Sequence, residues 1–232
     1  MCGRFAISET VNELIVEFVA QGGDFPDWKP SYSVAPTDPA PIVRERKAVD
    51  SDAPARFIEL ADWGFRPGWA KPKSPAPINA RLEKVATGGL FTGALTSQRC
   101  LVPMTGYYEW EETVTGKQPH FIHGDGILAA AGLYASRKED DVWKISFTVI
   151  TRTARDASGE IHDRMPAFLA PDSWGNWLNP EKLVEKDDAL AMLDRSSATV
   201  AAVLRSHTVD RRVNNVRTVD PQDPSIIEPI AV

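Results

Sequence analysis

The chain has 232 residues, which at about 150 per domain points to one domain or two small ones and leaves enough chain to bury about 70% of the unfolded surface without a disulfide staple. Charged residues make up 25% and hydrophobic ones 43%, a balance that excludes disordered, collagen-like and coiled-coil chains. The formal charge, 26 − 32 = −6, argues against broad wrapping of duplex nucleic acid while leaving room for a locally basic groove.

In chain order, Thr10 followed by Glu13 forms a capping-box pattern, and Val11, Leu14, Ile15, Phe18 and Val19 continue at helical spacing until Gly22-Gly23 stops the run. The Pro-, Ser- and aromatic-rich stretch from Phe25 to Pro41 reads as an irregular segment wrapped on a core. Strand-like runs follow at Pro41 to Arg44, Arg56 to Trp63, Cys100 to Val102, Gly106 to Trp110, Phe121 to Ile122, Ile127 to Ala135 and Trp143 to Thr151. Ala80 to Thr87, Asp172 to Leu178 and Pro180 to Leu193 read as helices, and Val200 to Leu204 as a further strand. Helices interrupt strands without regular βαβ alternation, so the expected class is α+β: a single domain with a curved, mainly antiparallel sheet or open barrel and peripheral helices. The segment from Asp220 to Val232, with three prolines, is expected to lie loosely on the surface.

The longest apolar stretches, such as Gly126 to Ala135, fall short of the ~20 residues that a membrane span requires, so no membrane partner is expected. The N-terminus lacks a basic region followed by an apolar one, which makes a reducing cytoplasm the expected location. Cys2 and Cys100 are too few for a disulfide framework or a sulfur-rich zinc site, and neither a metal nor a cofactor is expected. Cys100 lies in an apolar run and reads as a buried small hydrophobe. His120 and His123 read as hairpin residues, and His207 as a surface residue.

Cys2 is the most informative position. A small second residue permits removal of the initiator methionine, leaving an α-amine and a thiol on one carbon framework. The amine titrates near about 7.7–8.0 and the thiol near about 8.5, so both are partly deprotonated at neutral pH. With an aldehyde the amine can form an imine and the thiol can close on the same carbon, giving a five-membered thiazolidine. By itself the position reads more simply as an ordinary second residue; the following Gly3-Arg4-Phe5 adds close backbone approach and a neighbouring cation.

Three further groupings carry possible chemistry. Pro77-Ile78-Asn79-Ala80-Arg81-Leu82-Glu83 reads as a turn into a helix, with Asn79 at the N-cap. Gly106-Tyr107-Tyr108-Glu109-Trp110 sets a carboxylate among aromatics, where desolvation would fit it for proton transfer, with pairing to an arginine as the structural alternative. Ile161-His162-Asp163-Arg164-Met165-Pro166 puts an imidazole, a carboxylate and a guanidinium side by side.

Jointly, Met1 to Phe5, the Tyr32 to Thr37 run, Trp63-Gly64-Phe65 with Pro67 and Trp69, Asn79-Ala80-Arg81, Arg99 to Pro103, Gly106 to Trp110, His162 to Pro166 and Val213-Asn214 closely resemble the SRAP family, the SOS-response-associated peptidases. The resemblance implies an SRAP domain over 1–219 with a C-terminal segment over 220–232, acting as a monomer on single-stranded DNA that contains abasic sites. It implies that Cys2, freed of Met1, captures the ring-opened aldehyde as a stable thiazolidine crosslink, in single-turnover chemistry related to peptidase and lyase reactions. Glu109 would hold or deprotonate the amine and relay protons, Asn79 would orient the sugar, and His162 would help to open it. Arg4, Arg81 and Arg164 would hold phosphates, and Trp69 would offer an apolar platform. Ser31 and Ser33 around Tyr32, Leu82 after Arg81, and Met104 depart from the family's pattern. Three other readings stay open: an N-terminal nucleophile hydrolase of the glutamine amidotransferase kind; peptidase activity with Cys2, Glu109 and His162 as nucleophile and acid–base groups, with self-processing that frees Cys2 favoured over general proteolysis; and a noncatalytic single-strand binder.

Overall fold

The computed structural model describes residues 2–47, 53–71, 73–155 and 157–230. Met1, whose removal the resemblance implies, and the last two residues of the C-terminal segment lie outside them. The elements run β1 (Phe5–Ile7), α1 (Val11–Phe18), β2 (Ala20–Gly22), β3 (Ser31–Val34), β4 (Pro39–Lys47), β5 (Pro54–Trp63), β6 (Asn79–Arg81), α2 (Thr92–Ser97), β7 (Arg99–Thr113), β8 (Gly116–Glu139) and β9 (Val142–Thr153). They continue with β10 (Arg164–Pro166), α3 (Pro171–Leu178), α4 (Lys186–Ala201) and β11 (Arg205–Thr208).

One mixed, mostly antiparallel sheet carries the molecule, in the order β11-β8-β9-β5-β4-β7-β1-β3. A further long pairing of β7 with β8 brings the path back on itself, so five strands enclose a core and β1, β3 and β11 extend from it. The α+β expectation with a curved, mainly antiparallel sheet holds. Inside lie Phe5, Ile42, Trp63, Leu101, Leu133, Phe147, Val149 and Phe168, all 2% exposed or less. Four expected runs merge into two strands: Cys100–Val102 and Gly106–Trp110 both belong to β7, and Phe121–Ile122 and Ile127–Ala135 both belong to β8. The gap between them is a register shift between Met104 and Gly106, where β7 and β8 bend together.

The capping box of α1 is present: Glu13 N–H donates to the Thr10 hydroxyl, and Thr10 N–H donates to the Glu13 carboxylate at 2.7 Å. The helix ends at Val19 in the left-handed conformation (φ 49°). α3 covers the barrel with Trp174, Trp177 and Leu178, and Trp177 Nε1 donates to the Cys100 carbonyl at 2.9 Å. Among the described residues, buried Arg99 donates to the carbonyls of Trp177, Leu95, Thr96, Asn179 and Glu181, which satisfies a cation without a carboxylate. Cys100 is fully buried, as expected, and burial pushes its thiol up.

The helix expected over Ala80–Thr87 does not form. Its first residues are strand β6, because the edge of β9 supplies backbone partners: Val149 N–H donates to Ile78 O at 2.9 Å and Leu82 N–H to Thr151 O at 2.8 Å. Tertiary pairing overrides a weak local preference. The helix expected from Pro180 begins only at Lys186 and runs on to Ala201, so the expected Val200–Leu204 strand is displaced to β11. The irregular stretch from Phe25 to Pro41 contains β3 and the start of β4.

The C-terminal segment is not loose. Ile226 is fully buried in a second small core with Ala6, Tyr108, Phe121, Val209 and Val213. Tyr32 N–H donates to Pro221 O at 2.7 Å and Ile230 N–H to Thr208 O at 3.1 Å. Apolar Ile226 outweighs the prolines around it. His207, expected on the surface, packs against Phe121 and His123 and bonds through Nε2 to the Ile227 carbonyl at 2.7 Å.

Candidate active site

Cys2 lies three residues before the start of β1. Its side chain is fully buried, and its Sγ lies 3.8 Å from the Arg4 carbonyl. Neither cysteine is in a disulfide. Asn79 Nδ2 donates to the Cys2 carbonyl at 2.7 Å, so the residue expected to cap a helix instead tethers the N-terminus from strand β6. The other amide atom, Asn79 Oδ1, is buried with no partner among the described residues. β1 pairs with β7 as Phe5↔Tyr107 and Ala6↔Gly106, and Tyr108 N–H donates to Arg4 O at 3.0 Å. Continued by the same register, Gly3 stands opposite Glu109, whose side chain is 2% exposed.

Arg4 is buried as well. Its Nη1 donates to Ser33 Oγ at 2.9 Å and to Val213 O at 3.1 Å, and the guanidinium lies 5.9 Å from the Trp110 ring centre. Burial holds its pKa below the ordinary arginine value, against the pull of Tyr108 and Asp38. Ser33 therefore supplies an acceptor for Arg4. Trp110 Nε1 in turn donates to Asn214 Oδ1 at 2.7 Å, which gives the Val213-Asn214 pair its place beside the site.

A second group gathers where β9 ends. β6 and β10 both pair with β9 there, as Arg81↔Thr151 and Pro166↔Thr151. Arg164, 8% exposed, donates through Nη1 and Nη2 to the two oxygens of Glu83 at 2.8 and 3.1 Å and through Nη2 to Thr151 O at 2.6 Å. Burial works to raise the Glu83 carboxyl, but hydrogen bonds from Arg164 and the backbone, with the charges of Arg164 and Arg81, hold it below the usual range. Arg81 itself is exposed.

His162 precedes β10. Its Nδ1 accepts from Arg164 N–H at 3.0 Å and lies 3.1 Å from Asp163 Oδ1. Partial burial first, then the positive charge of the N-terminus and of Arg164, lower its pKa against the opposing effect of Asp163. A neutral His162 that accepts at Nδ1 carries its proton on Nε2; a protonated one can turn the same Nδ1–H to Asp163.

Trp69, 69% exposed, stands on an excursion whose base is closed by Phe65 N–H donating to Pro77 O at 3.0 Å, two residues before Asn79. Structure thus links Cys2, Asn79, Arg4 and Glu109 through one end of the barrel, and His162, Arg81 and Arg164 through the end of β9. Trp69 stays on its own exposed loop. Sequence reasoning missed the Arg164 partner Glu83, although a lone carboxylate two residues after Arg81 was a visible signal. It also missed the Val213 carbonyl, for which no local signal exists. No three His, Cys, Asp or Glu side chains among the described residues could hold a metal, and no described helix is long and apolar enough to cross a membrane.

The model for the SOS response associated peptidase (SRAP) family matches residues 1–216, and the chain belongs to that family. Among individual proteins, it is 30% identical over 240 residues to the abasic site processing protein YedK of Escherichia coli, covering 99% of this chain and 100% of that one. It is 32% identical over 188 residues to the abasic site processing protein YoaM of Bacillus subtilis, covering 78% of this chain and 80% of that one. A crystal structure of a protein from Bacteroides thetaiotaomicron shares the fold with a TM-score of 0.81 at 21% identity, covering 99% of this chain and 100% of that one.

Proposed function

We propose that this protein recognises abasic sites in DNA and shields them by a covalent crosslink through Cys2, once Met1 has been removed. The similarity to abasic site processing proteins, over 78% and 99% of the chain, supports the substrate class. The observation that carries the chemistry is the tether of the Cys2 carbonyl to Asn79 at 2.7 Å with Glu109 across from the next residue. In this reading the tether holds the freed α-amine and the thiol of buried Cys2 within reach of the Glu109 carboxylate.

The nitrogen of Cys2 is an amide until Met1 leaves and a nucleophilic amine afterwards. The sugar opens from hemiacetal to aldehyde, with the His162 Nε2–H placed to trade a proton with its oxygen. The amine adds to the aldehyde carbon to give a carbinolamine, which loses one water to form an imine; Glu109 accepts and returns the proton. The thiol then adds to the imine carbon: a carbon–sulfur bond forms and the thiol proton ends on nitrogen. Aldehyde plus aminothiol has become thiazolidine plus water. An imine alone would acidify the neighbouring sugar carbon and invite β-elimination with strand breakage. Sulfur closure removes that electron sink, so the product protects the strand, and each molecule acts once. Among proteolytic steps, this reading requires only the loss of Met1.

Single-stranded DNA fits best, because an open strand can set a base on Trp69 for about 1–3 kcal/mol and pass its phosphates to Arg81, Arg164 and Arg4. Such local contacts offset the acidic surface. The test is to mix the protein with abasic single-stranded DNA. A denaturant-resistant adduct should form, one protein per lesion, with the combined mass less Met1 and one water. A variant with Cys2 behind an uncleavable N-terminal extension keeps the thiol and loses the amine; if it crosslinks as well as wild type, the mechanism is wrong.

A further inference from the structure

Arg164 is a guanidinium with more donors than the chain uses. Of its five N–H groups, one on Nη1 and one on Nη2 meet Glu83, and a second on Nη2 meets Thr151. The Nε–H is buried and meets no acceptor among the described residues. In a side chain only 10% exposed, an unpartnered donor costs about 1–3 kcal/mol and points to an acceptor that comes from outside the chain.

Glu83 governs how this arginine is held. It takes the Nη1–Nη2 fork bidentately, the geometry that fixes a planar guanidinium most firmly. Its charge also acts on Arg81, the exposed cation two residues earlier in the chain. Without that carboxylate the two arginines would repel each other across the end of β9. The same arginine anchors the neighbouring machinery, because its backbone N–H holds His162 Nδ1 and its side chain is bound to the Thr151 carbonyl that also receives Leu82 N–H. Glu83 is half exposed, so it can keep this grip while a phosphate approaches the remaining donors.

We propose that Glu83 is a positioning residue for phosphate recognition: it buttresses Arg164 and draws Arg81 beside it, so that the two present a preformed seat for the backbone next to the lesion. The inference rests on the abasic-DNA reading above. Glu83 touches no reacting atom in it.

The test separates phosphate recognition from aldehyde chemistry by using two probes, abasic single-stranded DNA and free 2-deoxyribose, which offers the same aldehyde without a phosphate. For Glu83→Gln, the DNA concentration giving half-maximal capture should rise about tenfold, and the slope of log affinity against log salt should become shallower by about 0.7, one phosphate contact on a single strand. The maximal rate on DNA and the rate with 2-deoxyribose should stay within about twofold of wild type, and Glu83→Asp should recover part of the DNA loss. An unchanged half-maximal concentration and salt slope would overturn the proposal. So would tighter binding, which would make Glu83 a competitor of the phosphate, or an equal loss on both probes, which would make it a structural residue. If Glu83→Gln does not fold, Glu83→Asp decides alone: a DNA-specific loss supports the role and an equal loss on both probes refutes it. Wild type that captures neither probe would instead sink the underlying reading, leaving a different signature from any failure of the Glu83 role.

Discussion

At the scale of single residues, the site is built by taking ordinary groups out of water and choosing their partners. The Cys2 carbonyl and Asn79 form one such pair, and His162 with the Arg164 backbone forms another. The His162 imidazole sits below its ordinary value of about 6.5, which sets a direction for stability. Between the folded and unfolded values the unfolded chain binds the extra proton, so stability present above about pH 6.5 declines as pH falls through the lowered folded value. His162→Gln removes this titration. Its melting temperature should therefore fall less between pH 7.5 and pH 5 than that of wild type, as measured by paired thermal melts. An identical pH dependence would show that the neutral imidazole is not favoured by the fold.

At the scale of elements, the β7–β8 pair positions Glu109, and Gly106 is where that pairing is most exacting. A Cβ there would meet Phe121 Cζ at 2.5 Å and the Ile122 carbonyl oxygen at 2.6 Å, and backbone cannot rotate aside as a side-chain tip can. Gly106→Ala should cost about 1–3 kcal/mol of overpacking, lowering the melting temperature by about 3–10 °C for a chain of this length. Because Glu109 lies three residues further along β7, opposite Gly3 by register, single-turnover capture should slow as well. A calorimetric scan with a quench-time course of adduct formation checks both; a stable variant with wild-type rate would mean that the register tolerates the extra carbon.

At the scale of the molecule, the second core decides whether the C-terminal segment belongs to the working domain. It packs Val209, Val213 and Ile226 on the outer side of β1, against Ala6, Tyr108 and Phe121, and its Val213 carbonyl receives Arg4. Tyr108 OH closes the same region by donating to Tyr32 O at 2.6 Å. Truncating fully buried Ile226 to alanine should cost about 2–5 kcal/mol and lower the melting temperature by about 5–15 °C. A surface ornament would give no change.

The sequence alone determined those features that depend on neighbours within a few positions. The capping box of Thr10 and Glu13, the alternating strands, the apolar face of α3 and the cysteine at position 2 are all local, and the motifs pointed to the family. Local rules failed at Ala80–Thr87, at the C-terminal segment and at His207, where partners far along the chain outweighed intrinsic preference. Only the tertiary structure decided that Asn79 would tether Cys2, that Arg4 and Arg164 would be buried, and that Glu83 would hold the latter. The physical reason is that a hydrogen bond or ion pair between residues dozens of positions apart leaves no periodicity behind. Its geometry exists only after the sheet has closed and brought the end of β9 against β6 and β10.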